Sequence, residues 1–235
     1  MRLRSFLAPL LSVLLLAGCA GAGPTDAREV PAAPALDPVS SPQWAGDMAA
    51  FTAEDAAHPP PAHPIVFTGS SSVRMWQTLA TDFPGKPVLN RGFGGSQLRD
   101  STWYADDVAI RYQPRQVVLY AGDNDIDAGR TPKQVLADFR AFVARIRKDL
   151  PEVPIDWLAI KPSLARIDQL PAQREANALV QAETAKMHDV RFIDVATPML
   201  GADGKPRADL FIEDGLHMNH KGYALWRDIV APYLR

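Results

Sequence analysis

The sequence predicts an α/β fold, a three-layer α/β/α sandwich with a five-stranded parallel sheet. Short apolar segments that end at glycine or polar clusters are typical of strands buried on both faces. They lie at residues 65–68, 88–91, 116–120, 155–160 and 191–194. Apolar residues at helical spacing occupy residues 72–81, 98–112, 132–149, 166–188 and 219–234. Strands that alternate with helices form a parallel sheet covered by helices on both faces.

The individual segments support this order. The first strand ends at Gly69, the second runs into a glycine cluster that begins at Gly92, and the third ends at Gly122. The segment 132–149 shows the helical pattern most clearly, because its apolar residues repeat every three or four positions: Phe139, Phe142, Val143, Ile146 and Leu150. Such a series is typical of a core-facing helix.

Composition limits the function classes. A chain of 235 residues that is 47% hydrophobic has room for one core. Its formal net charge of −2 and scattered lysines and arginines argue against a nucleic-acid partner. The single cysteine, Cys19, excludes an intramolecular disulfide and a cysteine-based zinc site. No Gly-x-Gly-x-x-Gly follows the first strand and no P-loop is present, so no cofactor is expected.

The N-terminus has the pattern of a signal peptide over residues 1–18. Two arginines precede an apolar run, residues 5–17, that is too short for a permanent membrane span. The run ends in Leu16-Ala17-Gly18-Cys19, which resembles the bacterial lipobox and implies a lipid anchor on Cys19. Ala20, in place of aspartate, implies an outer-membrane lipoprotein facing the periplasm if the host is Gram-negative. An ordinary secretory signal is the alternative.

Residues 19–62 are rich in alanine and proline, a composition that favours a tether because it buries little apolar surface. One stretch differs. Trp44, Met48 and Phe51 lie at helical spacing and predict a short helix over 44–57, packed on the folded domain of residues 63–235.

Polar clusters follow three of the predicted strands. They are Ser70-Ser71-Ser72, residues 92–96, and Asp123-Asn124-Asp125. Because the carboxyl ends of parallel strands meet at one edge of a sheet, we expect these clusters to lie together. The acidic run could suggest a calcium loop, but an EF-hand needs glycine at its sixth position and an acid at its twelfth, where this chain has Ala128 and Gln134. No metal site is therefore expected.

Four segments, in order, resemble the four motif blocks of the SGNH (GDSL-type) serine hydrolases. They are Gly69-Ser70-Ser71-Ser72, residues 90–95, residues 122–125, and Asp214-Gly215-Leu216-His217. The resemblance covers residues 64–235 and implies a flavodoxin-like sheet and esterase activity. It further implies the role of each site residue: Ser71 as nucleophile, His217 as base, Asp214 as its orienting acid, and an oxyanion hole from Ser71, Gly95 and Asn124.

The residue types fit that chemistry. A serine hydroxyl becomes a good nucleophile when an imidazole takes its proton, and a nearby carboxylate orients the imidazole. This chain has Ser70 where the family usually has aspartate, so Ser70 is the rival nucleophile. The alternative for the three serines is that they only cap the following helix.

We therefore expect a serine esterase that hydrolyses a small or short-acyl ester at the cell envelope. Its substrate is expected to be a small molecule such as an acylated glycan or a lysolipid, with the membrane contacted through the anchor. Trp76, Phe93, Leu216 and Met218 are the expected lining of a small acyl pocket. Two alternatives stay open: an O-acyltransferase that uses the same triad, and a non-catalytic surface-binding lipoprotein.

Overall fold

The computed structural model describes residues 41–235, and the signal peptide, Cys19 and the tether up to residue 40 lie outside the described residues. Five parallel strands form one sheet in the order β2-β1-β3-β4-β5. Their bounds are Ile65–Gly69 (β1), Val88–Gly92 (β2), Gln116–Tyr120 (β3), Ile155–Leu158 (β4) and Val190–Ile193 (β5). The predicted five-stranded parallel sheet and its α/β fold are confirmed.

Helices connect the strands. The α-helices are Ala45–Ala57 (α1), Ser71–Arg74 (α2), Leu79–Asp82 (α3), Leu98–Trp103 (α4), Ala105–Val108 (α5), Asp123–Asp127 (α6), Pro132–Asp149 (α7), Leu170–Thr184 (α8) and His220–Val230 (α9). Short 3-10 turns lie at Ser41–Trp44, Ile110–Tyr112, Ile167–Gln169, Thr197–Met199, Ala208–Leu210 and Ala231–Tyr233. None of the helices in residues 41–235 is long and apolar enough to cross a membrane.

The sheet separates two apolar cores. Val117 and Leu119 of β3 face one core, whereas Val118 and Tyr120 face the other, because successive side chains of a strand point to opposite faces. Residues of α4, α7 and α8 cover the first face, including Phe139, Phe142, Ile146, Ala176 and Val180. Residues that follow β1 and residues of α9 cover the second, including Val73, Trp76, Tyr223 and Trp226.

Helix α1 packs on the domain through a third, smaller core. Trp44 and Met48 are buried there with Phe93, Tyr104 and Val108. The rings of Trp44 and Phe93 meet edge to face, with centroids 5.9 Å apart. Phe93 lies directly after β2, so α1 contacts the loop that leads from that strand towards the predicted site.

Candidate active site

The loop after β1 places Ser71 at the carboxyl edge of the sheet. β1 ends at Gly69, whose φ of +117° is a backbone conformation that glycine adopts readily and other residues rarely do. A Cβ at this position would lie 1.9 Å from the Tyr120 carbonyl oxygen. The Ser70 amide donates to that same oxygen over 2.9 Å, and the Phe93 amide donates to the Gly69 carbonyl over 2.8 Å. Ser71 then begins α2, so its amide has no acceptor within the helix.

The structure brings together the three residues of the predicted triad. The Ser71 hydroxyl lies 2.9 Å from His217 Nε2. His217 Nδ1 lies 2.6 Å from Asp214 Oδ2. With Asp214 ionised, Nδ1 carries the proton that it donates to the carboxylate, which leaves Nε2 as the acceptor that faces Ser71.

A tight turn holds Asp214 ionised beneath the imidazole. Its Oδ1 accepts the backbone amides of Leu216 and His217 over 2.8 and 2.9 Å. Partial burial opposes ionisation, but the hydrogen bonds from the His217 ring and from the two amides outweigh it and lower the pKa of Asp214 to about 2. Asp214 is therefore a carboxylate at every pH at which the protein is expected to work.

Ser70 and Ser72 do not share the position of Ser71. Both are 2% exposed, whereas Ser71 is only half-buried. The Ser70 carbonyl accepts the amides of Val73 and Arg74, which makes Ser70 the N-cap residue of α2. The hydroxyl that donates to the His217 ring is that of Ser71 and not that of its predicted rival, Ser70.

Gly95 and Asn124 lie in the segments that follow β2 and β3, the two strands beside β1. Gly95 has a φ of +80°, and no atom of the described residues, apart from Gly95 and its two chain neighbours, lies within 4 Å of the place where a Cβ would stand. Asn124 belongs to α6, and its Nδ2 donates to the Ser96 carbonyl over 3.0 Å. Arg166 donates to Asn124 Oδ1 through both terminal nitrogens, each 3.2 Å away. A primary amide has two N–H groups, so Asn124 keeps one that Ser96 does not use.

Comparison with known proteins fits this arrangement. Residues 52–225 match the model of the GDSL-like lipase/acylhydrolase family. The chain belongs to that family. It is thus a carboxylic ester hydrolase by family, and the predicted resemblance is confirmed. A search of curated proteins gave no match.

Solved structures share the fold of this GDSL-like acylhydrolase. A candidate platelet activating factor from Streptococcus pneumonia has a TM-score of 0.71 at 22% identity, over 81% of this chain and 92% of that one. A GDSL-like lipase from Bacteroides thetaiotaomicron has a TM-score of 0.67 at 18% identity, over 79% and 96% of the two chains. A carbohydrate esterase family 3 protein from Talaromyces cellulolyticus has a TM-score of 0.57 at 16% identity, over 72% and 95%. Because all three sequence identities are at most 22%, the similarity to these structures shows a shared fold.

The acylhydrolase also has a buried charge cluster beside Asn124 that the sequence analysis missed. Asp123 lies 2.9 Å from Arg166 and 3.3 Å from Lys161, a lysine that is only 1% exposed. Burial alone would raise the pKa of Asp123, but the two cations lower it, whereas burial lowers the pKa of Lys161. The polar segment after β4, Lys161-Pro162-Ser163, was the available signal, because it ends a fourth strand at the same edge.

Asp125, the other acidic residue of the segment Asp123-Asn124-Asp125, makes hydrogen bonds to the backbone. It is fully buried and accepts the amides of Leu98 and Gly122 over 3.0 and 2.9 Å. Within the described residues, no group of three or more His, Cys, Asp or Glu side chains could hold a metal ion.

The expected acyl pocket differs from what the structure shows. Trp76, Phe93 and Met218 are at most 2% exposed and belong to the cores, because the sheet and helices α1 and α9 cover them. Leu216, the fourth expected residue, is half-buried and belongs to none of the cores, and Leu164 and Ile212 beside it are more exposed, at 39% and 42%. Leu164 donates its amide to Gly215 and Ile212 donates its amide to His217, so they flank the Asp214–His217 turn.

Proposed function

We propose that this acylhydrolase hydrolyses small or short-acyl esters through an acyl-enzyme on Ser71. The observation that carries the proposal is the continuous hydrogen-bond chain from Ser71 through His217 to Asp214, with links of 2.9 and 2.6 Å. A serine, an imidazole and a carboxylate in this relation are the constellation that activates a serine hydroxyl.

The reaction has two half-steps. His217 Nε2 takes the proton of Ser71 as its Oγ bonds to the ester carbonyl carbon, and then gives that proton to the departing alcohol. Water next attacks the acyl group on Ser71, His217 takes a proton from it, and the proton returns to Ser71 as the acid leaves. Asp214 stabilises the imidazolium in both half-steps.

The negative oxygen of each tetrahedral intermediate needs donors that are already in place. We assign this task to the amides of Ser71 and Gly95 and to Asn124 Nδ2. The loss of one such donor typically costs about 3 kcal/mol of barrier. The fixed amide of Asn124 and the open space beside Gly95 support this assignment.

The exposure of the site supports a small substrate. The side chains of Asp214 and His217 are 42% and 21% exposed, and the exposed side chains of Leu164 and Ile212 form an apolar rim beside them. An acylated glycan or a lysolipid fits a chain that we propose to be anchored in the cell envelope through Cys19. The similarity to a carbohydrate esterase is consistent with the first of these substrates.

A fluorophosphonate probe tests the proposal, because it reacts covalently only with an activated serine. We expect one adduct per chain, mapped by peptide mass spectrometry to Ser71, and turnover of p-nitrophenyl acetate. Ser71→Ala should abolish both, and Ser70→Ala is the matched control that should retain them. No labelling and no turnover in the wild type, or an adduct on Ser70, would contradict the proposal.

A further inference from the structure

The peptide unit between Gly94 and Gly95 has a partner outside its own loop. The Gly94 carbonyl accepts a hydrogen bond of 2.9 Å from the indole Nε1 of Trp44, the residue that precedes α1. We propose that Trp44 is a positioning residue of the esterase, which fixes the Gly94–Gly95 peptide and so aims the Gly95 amide at the oxyanion. This inference rests on the proposed function.

The geometry of a peptide connects the two groups. The carbonyl of Gly94 and the amide N–H of Gly95 belong to one planar trans unit and point in opposite directions. A donor that holds the carbonyl on the α1 side therefore fixes the direction of the N–H on the other side. Trp44 is suited to this task, because an indole N–H is a donor only.

This peptide needs such a support more than its neighbours do. Glycine lacks the Cβ that restricts backbone rotation, and here it stands on both sides of one peptide unit. Neighbouring groups of the loop have other partners: the Phe93 carbonyl accepts from the Ser96 hydroxyl over 2.9 Å, and the Ser96 carbonyl accepts from Asn124. The Gly94 carbonyl has its hydrogen bond from Trp44.

Trp44 is itself held firmly. Its side chain is buried, and its ring lies edge to face against Phe93. Helix α1 is anchored further along by ion pairs from Arg91 to Glu54 and Asp55. The Arg91 side chain is 3% exposed and belongs to β2, the strand that leads into the glycine loop. Trp44 and the loop that it supports are thus fixed to the same strand.

Trp44→Phe is the sharpest test, because it removes the N–H donor, with part of the indole ring, and still keeps an aromatic ring against Phe93. We expect kcat for p-nitrophenyl acetate to fall about 10-fold, less than the ~10²–10³-fold typical of a deleted oxyanion donor, since the Gly95 amide is present but no longer held. KM should change less than about 2-fold, as a transition-state effect requires. Trp103→Phe, at an indole that is 60% exposed, is the matched control and should leave kcat unchanged.

A second measurement separates positioning from a merely structural role. A trifluoromethyl ketone forms a hemiketal oxyanion on the serine, so its inhibition constant should rise in Trp44→Phe by the factor by which kcat/KM falls. Thermal unfolding reports the stability of each variant. An unchanged kcat in folded Trp44→Phe would overturn the inference, and so would a loss confined to KM. A wild type without turnover or labelling would instead contradict the proposed function.

Discussion

Asn124 acts as an oxyanion donor only if the nitrogen end of its amide faces the substrate. The contacts of Asn124 identify the two ends of its amide. The Ser96 carbonyl accepts a hydrogen bond from Nδ2, and the Arg166 guanidinium donates one to Oδ1. Arg166 also contacts Asp123 and Asp127, each over 2.9 Å. The fork of a guanidinium suits this bridging role, which the single ammonium of a lysine does not reproduce.

Arg166→Met should therefore lower kcat about 10-fold, with Arg166→Lys in between, because the amide of Asn124 loses its fixed orientation. Arg174→Met, at an exposed arginine of α8, is the control. The measurement is a double-mutant cycle with Asn124→Ala on p-nitrophenyl acetate. If Arg166→Met lowers kcat as much without the Asn124 amide as with it, the arginine does not act through Asn124.

Residues with a fixed motif order were predictable from the sequence, and their supporting partners were not. Asp214 and His217 stand three positions apart, so one tight turn joins them, and their pattern is visible in the chain. Trp44 lies 50 positions from Gly94, and Arg166 lies 42 positions from Asn124. Such contacts arise from tertiary packing, for which one sequence gives no local signal.

At the scale of elements, the strands were predicted well because each is a short apolar run. The fourth strand is shorter than predicted, because β4 ends at Leu158 and not at Ile160. Both backbone groups of Ile160 bond to the Asn177 side chain instead. The predicted helix 98–112 is α4, α5 and a 3-10 turn, with a break at Ala109, whose φ and ψ of −145° and −61° are not helical. Apolar periodicity alone does not show such a break.

Asp125 joins the start of α4 to the start of α6, because its carboxyl accepts hydrogen bonds from the Leu98 and Gly122 amides. Burial raises the pKa of this carboxyl to about 7 despite the hydrogen bond from the Leu98 amide, and the charge of Asp138 adds to the rise. An aspartate in an unfolded chain titrates near pH ~3.9. Between about pH 4 and 7 the folded protein thus keeps a proton that the unfolded chain has released.

The Asp125 carboxyl therefore stabilises the fold most at low pH. Its contribution to the free energy of unfolding is lost as the pH rises towards 7, by at most about 1.4 kcal/mol per pH unit. Asp125→Asn cannot titrate, so the stability of the wild type relative to this variant should fall as the pH rises. Urea unfolding between pH 4.5 and 7.5 measures it, with the exposed Asp168→Asn as control. Parallel pH profiles for wild type and Asp125→Asn would contradict the assignment.

At the scale of the whole molecule, the proposed anchor residue lies N-terminal to the catalytic domain in the sequence. The lipobox-like Leu16-Ala17-Gly18-Cys19 precedes the described residues, and α1 packs on the domain from Ala45 onwards. Cys19→Ala should therefore block lipidation and leave the protein uncleaved or mislocalised, while esterase activity is retained. Intact mass and detergent fractionation of a bacterial host measure this. A wild type without lipid that fractionates as a soluble protein would contradict the anchor.

The acyl-chain preference depends on how the whole fold surrounds Ser71. Except for the half-buried Leu216, the side chains expected to line a pocket are in the cores, which leaves Leu216 with the exposed Leu164 and Ile212 beside the triad turn. A long acyl chain gains about 0.8 kcal/mol for each methylene that it buries, and these three side chains cover only a few methylenes. We therefore expect p-nitrophenyl acetate and butyrate to have a higher kcat/KM than the decanoate or palmitate.

The matched variants Leu164→Ala and Ile212→Ala locate the effect. Each should lower kcat/KM for butyrate more than for acetate, because the additional methylenes of butyrate are the part that reaches the rim. The triad contacts of Ser71, His217 and Asp214 do not involve either side chain, so labelling by the fluorophosphonate should persist. With every substrate kept monomeric, a kcat/KM that rises steadily towards palmitate would show that a longer apolar groove binds the chain, and an equal loss for acetate and butyrate would show that the rim does not contact the acyl group.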